Sequence, residues 1–404
     1  MRILVATTHR AVVGGVETYL RAVLPLLRGH GHEVALLTAY AGGEGRAALD
    51  DLCPGLESYV AADPAAALAV AKAWRSDVVY AHGQPDPETE AALARRFPTV
   101  YFAHNYAGQC ISGMKAHAFP GRRTCSRPLG TACLGLYLPR RCGGLNPLTM
   151  LPLYRVSRQQ QNLLVLHRRL IAASAHMASE LVRNGASPDR VTVAPLFPPA
   201  SRVDPEPPAP KPRSDRILFI GRITALKGWR ELLDTLPRAA AALGRRLTLV
   251  AAGDGPDRGA FEAEARRRRV PAEFLGWLGA DQLDAEMRSA DVLAVPSVWP
   301  EPFGLVGLEA GCVGLPAVAF AVGGIPEWLV PGMSGELAAG AWPDSRDLAD
   351  ALVRVLADDA RWQRLRVGAW ETARQFTPET HLARLLPVLE AVADRKRYES
   401  SGVY

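Results

Sequence analysis

The chain has 404 residues, of which 48% are hydrophobic and 22% charged, with a formal net charge of +6 at pH 7. This length and composition suit two domains with separate cores and exclude large-scale disorder. No interleaving of aromatic and basic residues supports nucleic-acid binding, whereas a basic surface is compatible with anionic lipid or a phosphorylated acceptor. Because the N-terminal apolar stretch is short and no apolar run could cross a bilayer, we expect a cytoplasmic protein without a signal peptide. Peripheral contact with the inner face of the membrane is compatible with this location.

Residues 1–195 are predicted to form a first α/β domain. The chain opens with a strand, a loop containing Gly14 and Gly15, an amphipathic helix and a second strand, which together are one βαβ unit. The two glycines leave room for a phosphate or sugar because neither carries a β-carbon. Two later strands end at His82 and His104. Since the carboxyl ends of parallel strands line the ligand-binding edge of a sheet, both histidines are predicted at that edge.

A segment at about residues 106–150, rich in glycine, proline and arginine, is predicted to be an insertion in this domain. Four of the six cysteines of the chain fall in it: Cys110, Cys125, Cys133 and Cys142. Four thiolates can satisfy tetrahedral zinc, so a structural zinc site is the favoured interpretation. The spacing contains no Cys-x2-Cys pair, and reduced thiols or, less favoured, disulfides are the alternatives. We expect the insertion to shape the acceptor pocket.

A proline-dense stretch at residues 196–213 cannot form a helix or a central strand, and it is predicted to link two domains. A second α/β domain is predicted for residues 214–377 and a terminal helix for 378–404. The first strand of this domain is followed by Gly221-Arg222 and Lys227-Gly228. Cations at a strand-to-helix turn hold diphosphates, so Gly221, Arg222 and Lys227 are candidate diphosphate ligands. Two ordinary surface cations are the alternative.

The segment from Val295 to Glu327 is the most informative of the chain. A strand is followed by a proline-rich turn that carries Glu301, and apolar periodicity from Phe303 predicts a helix that contains Glu309. The first amide groups of that helix would be available to an anion: those of Phe303, Gly304 and Leu305. Amide donors for phosphate beside two carboxylates for hydroxyl groups suit a sugar nucleotide. The alternative is a helix cap at Glu301 and a solvated Glu309.

This segment resembles the Glu-x7-Glu signature of the retaining glycosyltransferases of family 4. The resemblance extends in order and spacing over most of the chain and implies the GT-B fold, with two Rossmann-like domains facing each other across a cleft. It implies a terminal helix that packs back on the N-terminal domain, which carries the acceptor side.

The resemblance also implies residue roles. Glu309 binds the ribose, Glu301 and His104 contact the transferred sugar, and Arg222 and Lys227 hold the diphosphate. The donor-binding set is completed by Gly14, Gly15, Gly221, Leu278 against the base, Gly253 at the rim of the nucleotide pocket, and the three amides at Phe303, Gly304 and Leu305.

The predicted reaction moves a sugar from a nucleotide-diphosphate sugar to a hydroxyl acceptor, which could be a sugar, a lipid-linked molecule or a small molecule. Front-face attack, in which the leaving diphosphate takes the proton, retains the anomeric configuration and needs no protein nucleophile or catalytic cofactor. The partners are therefore the nucleotide sugar and the acceptor. A nucleotide-sugar epimerase of the same fold and a catalytically silent binding protein are the alternatives.

Overall fold

The structure is a computed structural model that describes residues 1–12, 14–41, 47–51, 53–198 and 203–400, the last six by their backbone alone. Residues 199–202 of the predicted linker and residues 401–404 of the predicted terminal segment lie outside this range. The chain divides into two compact units. The first comprises Met1–Met114, Ser126–Pro195 and Pro378–Tyr404, and the second comprises Lys115–Cys125 and Leu196–Thr377.

The strands up to Pro195 are β1 (Arg2–His9), β2 (Glu33–Tyr40), β3 (Glu57–Val60), β4 (Val78–Ala81), β5 (Thr99–Ala103), β6 (Ala116–His117), β7 (Arg123–Thr124), β8 (Arg169–Ala172) and β9 (Val191–Val193). The helices of this part are α1 (Gly15–Gly29), α2 (Pro64–Ala73), α3 (Pro87–Arg96), α4 (Ala132–Tyr137), α5 (Pro147–Leu163) and α6 (Ala175–Arg183), and Pro188–Arg190 is a short 3-10 turn.

The strands after Pro195 are β10 (Arg216–Ile220), β11 (Thr248–Ala252), β12 (Ala272–Gly276), β13 (Val292–Val295), β14 (Ala317–Phe320) and β15 (Gly335–Ala338). The helices are α7 (Trp229–Leu243), α8 (Arg258–Arg267), α9 (Ala280–Ser289), α10 (Val306–Cys312), α11 (Ser345–Leu356), α12 (Asp359–Ala373) and α13 (Pro378–Ser400), with 3-10 turns at Ala225–Lys227 and Ile325–Glu327.

The first unit is built on a parallel sheet in the order β3-β2-β1-β4-β5-β8-β9. Val5 of the central strand β1 pairs with Leu36 on one side and Tyr80 on the other. The inner strands β1, β2, β4, β5 and β8 are mostly apolar and buried because helices cover both faces of a parallel sheet. His82 and His104 directly follow β4 and β5, so the sheet places them at neighbouring strand ends.

Proline and a short polar cap fix the starts of three helices in this unit. Asp63 and Asp86 accept backbone hydrogen bonds at the starts of α2 and α3, and Asn146 does so at α5. In each case proline occupies the first helical position, where its missing N–H costs nothing. The sequence therefore encodes these helix starts locally.

The helix α13 belongs to the first unit. It packs against β4, β5, β8 and β9, and its Leu382, Leu385 and Leu389 are buried. Three leucines at spacings of three and four residues make one apolar stripe along the helix. This stripe explains why the chain returns to the first unit after Thr377.

The second unit has a six-stranded parallel sheet in the order β12-β11-β10-β13-β14-β15. Strand β10 is central, and its Leu218 pairs with Val250 of β11 and Leu293 of β13. Since the carboxyl ends of parallel strands lie along one edge, the loops after β10, β11 and β13 are neighbours. They carry the glycines, cations and Glu301 discussed below.

An antiparallel pair of short strands, β6 and β7, clusters with the second unit, although the predicted boundaries place these residues in the first domain. Arg122 donates to the carboxylate of Glu231 in α7 at 2.8 Å, and the Arg123 guanidinium lies 4.9 Å from the ring centre of Trp342. Both contacts join residues more than a hundred positions apart, which a local pattern does not reveal. Among the described residues, none of the helices combines the length and apolarity that crossing a bilayer requires.

Candidate active site

The loop after β10 carries Gly221, Arg222 and Lys227 and is fixed by backbone contacts. The Gly221 amide donates to the carbonyl of Ala252 at 3.1 Å. Gly228 has φ +71, and a β-carbon there would lie 1.7 Å from the Pro296 carbonyl oxygen, so only glycine allows this approach. Arg222 is exposed, and no described residue forms an ion pair with it. Its guanidinium is therefore available to an anion.

Gly253 is held against the same loop. Its φ is +137, a β-carbon would lie 2.0 Å from the Gly221 carbonyl oxygen, and its amide donates to the Gly276 carbonyl at 2.7 Å. The two predicted residues Gly221 and Gly253 are thus in direct contact, at the ends of adjacent strands. Leu278 lies two residues beyond β12 and is half-buried, beside Trp277 with 84% of its surface exposed.

Glu301 is buried, and one of its two carboxylate oxygens is held by three donors. Lys227 Nζ donates to Oε1 at 2.7 Å, Ser297 Oγ at 2.5 Å and Trp299 Nε1 at 3.0 Å. No described residue donates to Oε2. The carboxylate is therefore oriented through one oxygen, and the other can accept from a ligand hydroxyl. Ser297 and Trp299 were not predicted from the sequence, where their only signal is a position inside the turn that carries Glu301.

The Gly323-Gly324 loop fixes the backbone of Glu301. Gly324 donates its amide to the Glu301 carbonyl at 2.7 Å. Gly323 has φ +60, and a β-carbon there would lie 2.0 Å from that same oxygen. The absence of a side chain at this loop is therefore required for its close packing on Glu301.

Helix α10 begins at Val306, and the prediction that it begins at Phe303 is wrong. Gly304 has φ +86, which no α-helical residue adopts, so the chain makes a turn before the helix can start. Within the described residues, the amides of Phe303, Gly304 and Leu305 donate no backbone hydrogen bond. They remain candidate anion donors, but as part of a turn.

Glu309 lies inside α10, where the sequence predicted it. Its side chain is half-buried, and no described residue forms a hydrogen bond or ion pair with the carboxylate. Burial raises the pKa of Glu309. A partly desolvated carboxylate without a protein partner is unfavourable, and hydroxyl groups of a bound ligand would relieve that cost.

In the first unit, His82 and His104 are hydrogen-bonded to each other, with 2.8 Å between His82 Nδ1 and His104 Nε2. The His104 ring stacks on Phe102 at 4.4 Å and lies 5.3 Å from the ring of Tyr19. Burial lowers the pKa of His104 to about 3 and the pKa of His82 well below its usual value. Both rings are therefore neutral at pH 7.

Gly14 and Gly15 are exposed at the start of α1, with Gly14 as its N-terminal flanking residue. The carbonyl of Gly14 accepts from the Thr18 amide at 3.0 Å. A β-carbon on Gly15 would meet nothing within 4 Å, so this surface is open. The same helix carries Tyr19 to the histidines, which connects the glycine loop to His104.

A buried chain of hydrogen bonds supports this end of the first unit. Tyr80 and Tyr19 hydroxyls are 2.8 Å apart, Tyr19 Oη and His381 Nε2 are 2.8 Å apart, and His381 Nδ1 is 2.8 Å from the Pro195 carbonyl oxygen. Because the carbonyl only accepts, His381 carries its hydrogen on Nδ1, and burial lowers its pKa to about 4. Nε2 therefore accepts from Tyr19, which accepts from Tyr80. These residues were not predicted from the sequence because no local motif marks them.

The predicted four-cysteine zinc site is not formed. Among the described residues, no group of three or more His, Cys, Asp or Glu side chains is arranged to hold a metal ion. Cys133 Sγ donates to the Pro128 carbonyl and Cys142 Sγ to the Leu136 carbonyl, while Cys110 Sγ contacts Ser112 Oγ. A thiol that donates to a carbonyl keeps its proton, whereas zinc requires the thiolate.

Known families match both halves of the chain. A family model described as Glycosyltransferase Family 4 matches residues 13–197, and one described as Glycosyl transferases group 1 matches residues 214–358. Together they cover most of the chain. The chain belongs to the family 4 glycosyltransferases.

Curated relatives of this family 4 chain include a D-inositol 3-phosphate glycosyltransferase of Salinispora tropica, 38% identical over 45% of the chain and 39% of the relative. A glycogen synthase of Mycobacterium tuberculosis is 34% identical over 43% of the chain and 44% of the relative. A 2-deoxystreptamine glucosyltransferase of Streptomyces kanamyceticus is 31% identical over 55% of the chain and 57% of the relative. The chain thus spans less than two thirds of each.

Solved structures show that this family 4 chain has the GT-B fold. Anabaena HepE in complex with UDP matches 97% of the chain and 100% of that structure with a TM-score of 0.68 and 19% identity. Sucrose-phosphate synthase from Thermosynechococcus elongatus matches 100% of both chains with a TM-score of 0.67 and 18% identity. The predicted α/β architecture with two parallel sheets is therefore confirmed.

Proposed function

We propose that the chain is a retaining glycosyltransferase that moves a sugar from a nucleotide-diphosphate sugar to a hydroxyl acceptor. The observation that carries the proposal is the arrangement of Glu301, whose Oε1 is held by Lys227, Ser297 and Trp299 while no described residue donates to Oε2. Membership of family 4 and the UDP bound in the HepE complex support a nucleotide sugar as the donor.

The proposed site assigns a separate part of the donor to each group. Arg222 and Lys227 neutralise the diphosphate, together with the turn amides at Gly304 and its neighbours. Glu301 accepts a hydroxyl of the transferred sugar through Oε2, and Glu309 accepts the ribose hydroxyls. Gly221 and Gly253 form the floor of the nucleotide pocket, and Leu278 contacts the base. His104 contacts the donor sugar, and the loop of Gly14 and Gly15 borders the donor.

In the proposed reaction, the acceptor oxygen bonds to the anomeric carbon as the bond from that carbon to the diphosphate oxygen breaks. The acceptor proton passes to the departing diphosphate oxygen on the same face, so the configuration is retained. The chain supplies position and positive charge, which stabilise the leaving group. No resident metal or organic cofactor is part of the proposal, because the cations Arg222 and Lys227 occupy that role.

The names of the relatives suggest where to look for the acceptor. D-inositol 3-phosphate and 2-deoxystreptamine are small rings that carry hydroxyl groups, whereas glycogen is a polymer. A lipid-linked acceptor would be met at a membrane surface, and peripheral membrane contact is part of the proposal. These classes define the acceptor panel of the test.

The test combines a panel of UDP, GDP and ADP sugars with soluble and lipid-linked hydroxyl acceptors, and it measures nucleotide release and product by mass spectrometry. NMR of the product then gives the anomeric configuration. We expect transfer with retention, and loss of transfer in Lys227→Met. An inverted product would contradict retention. Conversion of the donor into its epimer would favour the epimerase, and tight donor binding without turnover would favour the silent binding protein.

A further inference from the structure

Helix α5 has one side that packs inward and one side that does not. Met150 and Tyr154 pack on the small core of Ile111, Leu129 and Tyr137. Farther along the same side, Ser157 Oγ donates to the Cys110 carbonyl at 3.3 Å, and Gln161 Nε2 donates to the Asn184 carbonyl at 3.2 Å. The inner side is therefore anchored in the first unit, and the opposite side is its outer surface.

The outer side of α5 carries leucines followed by arginines. Leu148 is 81% exposed and Leu151 49% exposed, and Leu145 just before the helix is 64% exposed. Arg155 and Arg158 continue the same side one and two turns further, and both are exposed. Residues three and four positions apart lie on one side of a helix. These five residues, Leu145, Leu148, Leu151, Arg155 and Arg158, are called the α5 face below.

The stretch of sequence that contains α5 carries charge of one sign. From Ala91 to Ser179 the sequence contains no Asp or Glu, but it contains twelve Arg or Lys. A contiguous exposed apolar surface usually marks an interaction site. Leucines beside arginines on an anchored helix match the chemistry of an interfacial helix, whose apolar side enters the acyl boundary while cations meet anionic headgroups.

We propose that the α5 face docks the protein on an anionic lipid bilayer. In self-association through this face the arginines would meet no acidic partner, because a two-fold contact uses the same surface on both copies and the α5 face carries no Asp or Glu. Nucleic acid would leave the leucines in water, since its backbone offers no apolar surface. An anionic bilayer offers its acyl boundary to the leucines and its headgroups to the arginines. The proposal locates the peripheral contact proposed above and does not depend on glycosyl transfer.

Sedimentation with vesicles tests this docking. We expect the full chain to pellet with vesicles of equal parts phosphatidylcholine and phosphatidylglycerol, and to stay in solution with phosphatidylcholine alone. Leu148→Ser/Leu151→Ser should weaken binding at least tenfold, and Arg155→Gln or Arg158→Gln about fivefold each at low salt. The matched control is Val60→Ser/Val330→Ser, which removes two exposed valines elsewhere and should bind as the unaltered chain does.

Three results would overturn the docking proposal. The chain could stay in solution with the anionic vesicles, or the double leucine variant could bind them as tightly as the unaltered chain does. Light scattering could instead show that the leucines hold two copies together. Circular dichroism of each variant separates loss of binding from loss of folding.

The His82 and His104 pair carries a second, independent inference. His82 is 6% exposed, and within the described residues its Nε2 is buried without a hydrogen-bond partner. His104 is half-buried, and no described residue bonds to its Nδ1. A single hydrogen atom lies between His82 Nδ1 and His104 Nε2, and a neutral ring carries one hydrogen. Only two arrangements are possible.

The two arrangements differ in cost. If His104 donates, His82 must carry its own hydrogen on Nε2, which leaves a buried N–H without an acceptor. If His82 donates, its Nε2 is a bare lone pair, and His104 carries its hydrogen on Nδ1. Orphaned buried N–H groups are rarer than under-used acceptors. The second arrangement is therefore the more stable.

We infer that His82 is a positioning residue that holds His104 as an Nδ1–H donor. This inference rests on the proposed function, because the hydrogen bond would be donated to an oxygen of the donor sugar. His104 then acts as a neutral donor of fixed direction and does not exchange a proton during the reaction. His82 selects this tautomer of His104, because its Nδ1–H occupies the lone pair of His104 Nε2 and the hydrogen of His104 must then lie on Nδ1.

Ring-nitrogen NMR of histidine-labelled protein tests the tautomer without activity. We expect His104 to carry hydrogen on Nδ1 in the unaltered chain and on Nε2 in His82→Phe. His82→Asn places an amide donor near the position of Nδ1 and should restore the first tautomer. In transfer assays, kcat/KM should fall about tenfold in His82→Phe and recover in His82→Asn, as for one lost hydrogen bond.

The positioning role of His82 and the proposed function fail in different ways. If His104 of the unaltered chain carries its hydrogen on Nε2, or if His82→Phe transfers sugar normally, the positioning role is wrong while the proposed function stands. If the unaltered chain shows no transfer with any donor, the proposed function fails, and the NMR result still reports the tautomer.

Discussion

Lys227 and Glu301 form an ion pair, with 2.7 Å between Nζ and Oε1. The sequence pattern assigns these residues to different parts of the donor, the cation to the diphosphate and the carboxylate to the sugar. In the structure their charges are paired, although the two residues lie 74 positions apart in the sequence. An arriving diphosphate would share the ammonium with Glu301, so the pair orients both groups before the donor binds.

The first prediction concerns Lys227→Met, which removes the cation and keeps the length of the stem. We expect kcat/KM to fall about a hundredfold or more, because the leaving diphosphate loses a preorganised charge. Arg230→Met is the control, since it removes a cation from the first turn of α7 whose guanidinium lies over the Trp229 ring and pairs with Asp257. Near-normal transfer by the Lys227 variant would contradict the assigned role.

The second prediction compares two glycines with positive φ. Gly323→Ala places a β-carbon 2.0 Å from the Glu301 carbonyl oxygen, whereas Gly332→Ala, at φ +76, meets nothing within 4 Å. Both substitutions cost about 1 kcal/mol for the backbone conformation, and only the first adds a clash of about 2 kcal/mol more. Urea unfolding should show this difference, and only Gly323→Ala should lose transfer. Equal losses of stability would show that the loop does not support Glu301.

The strands that precede His82, His104 and the turn carrying Glu301 could be predicted because each is a short apolar run. The start of α10 could not, since apolar periodicity at Phe303 continues through Gly304, and only the positive φ of that glycine delays the helix to Val306. A local pattern records which residues are apolar, but not which conformation a glycine adopts.

The side-chain contacts could not be predicted from the sequence either. Ser297 and Trp299 lie two to four residues from Glu301, yet nothing in their spacing shows that both donate to the same oxygen. The clustered cysteines indicated zinc through composition alone, whereas ligation depends on where four side chains point. Arg122 reaches Glu231 through tertiary folding of a segment with little periodic structure.

The third prediction uses the raised pKa of Glu309. Burial raises it above 4.5, so the folded protein binds this proton more tightly than the unfolded chain does. The corresponding stability is present below pH 4.5 and is lost as the pH rises through the raised pKa. Glu309→Gln, which cannot ionise, should therefore melt at a higher temperature than the unaltered chain at pH 7, and the difference should vanish in acid.

The same Glu309→Gln variant should bind the donor nucleotide about tenfold to a hundredfold more weakly, because charged hydrogen bonds to hydroxyl groups are lost. Calorimetry with uridine and with uracil separates the ribose contribution from that of the base. A variant that is more stable but binds the nucleotide more weakly would indicate that the Glu309 carboxylate serves ligand binding at the expense of stability. A less stable variant would show that Glu309 has a structural partner.

The last prediction concerns the buried chain from Tyr80 through Tyr19 to His381. Tyr19→Phe removes the hydrogen bond to His381 Nε2 and the one from the Tyr80 hydroxyl, so it should destabilise the protein by about 2 kcal/mol. Tyr80→Phe removes one terminal donor and should cost less than about 1 kcal/mol, because Tyr19 still donates to His381. Denaturant unfolding measures both. If Tyr80→Phe were the more damaging, the donors would run in the opposite direction, and His381 could not carry its hydrogen toward the Pro195 carbonyl.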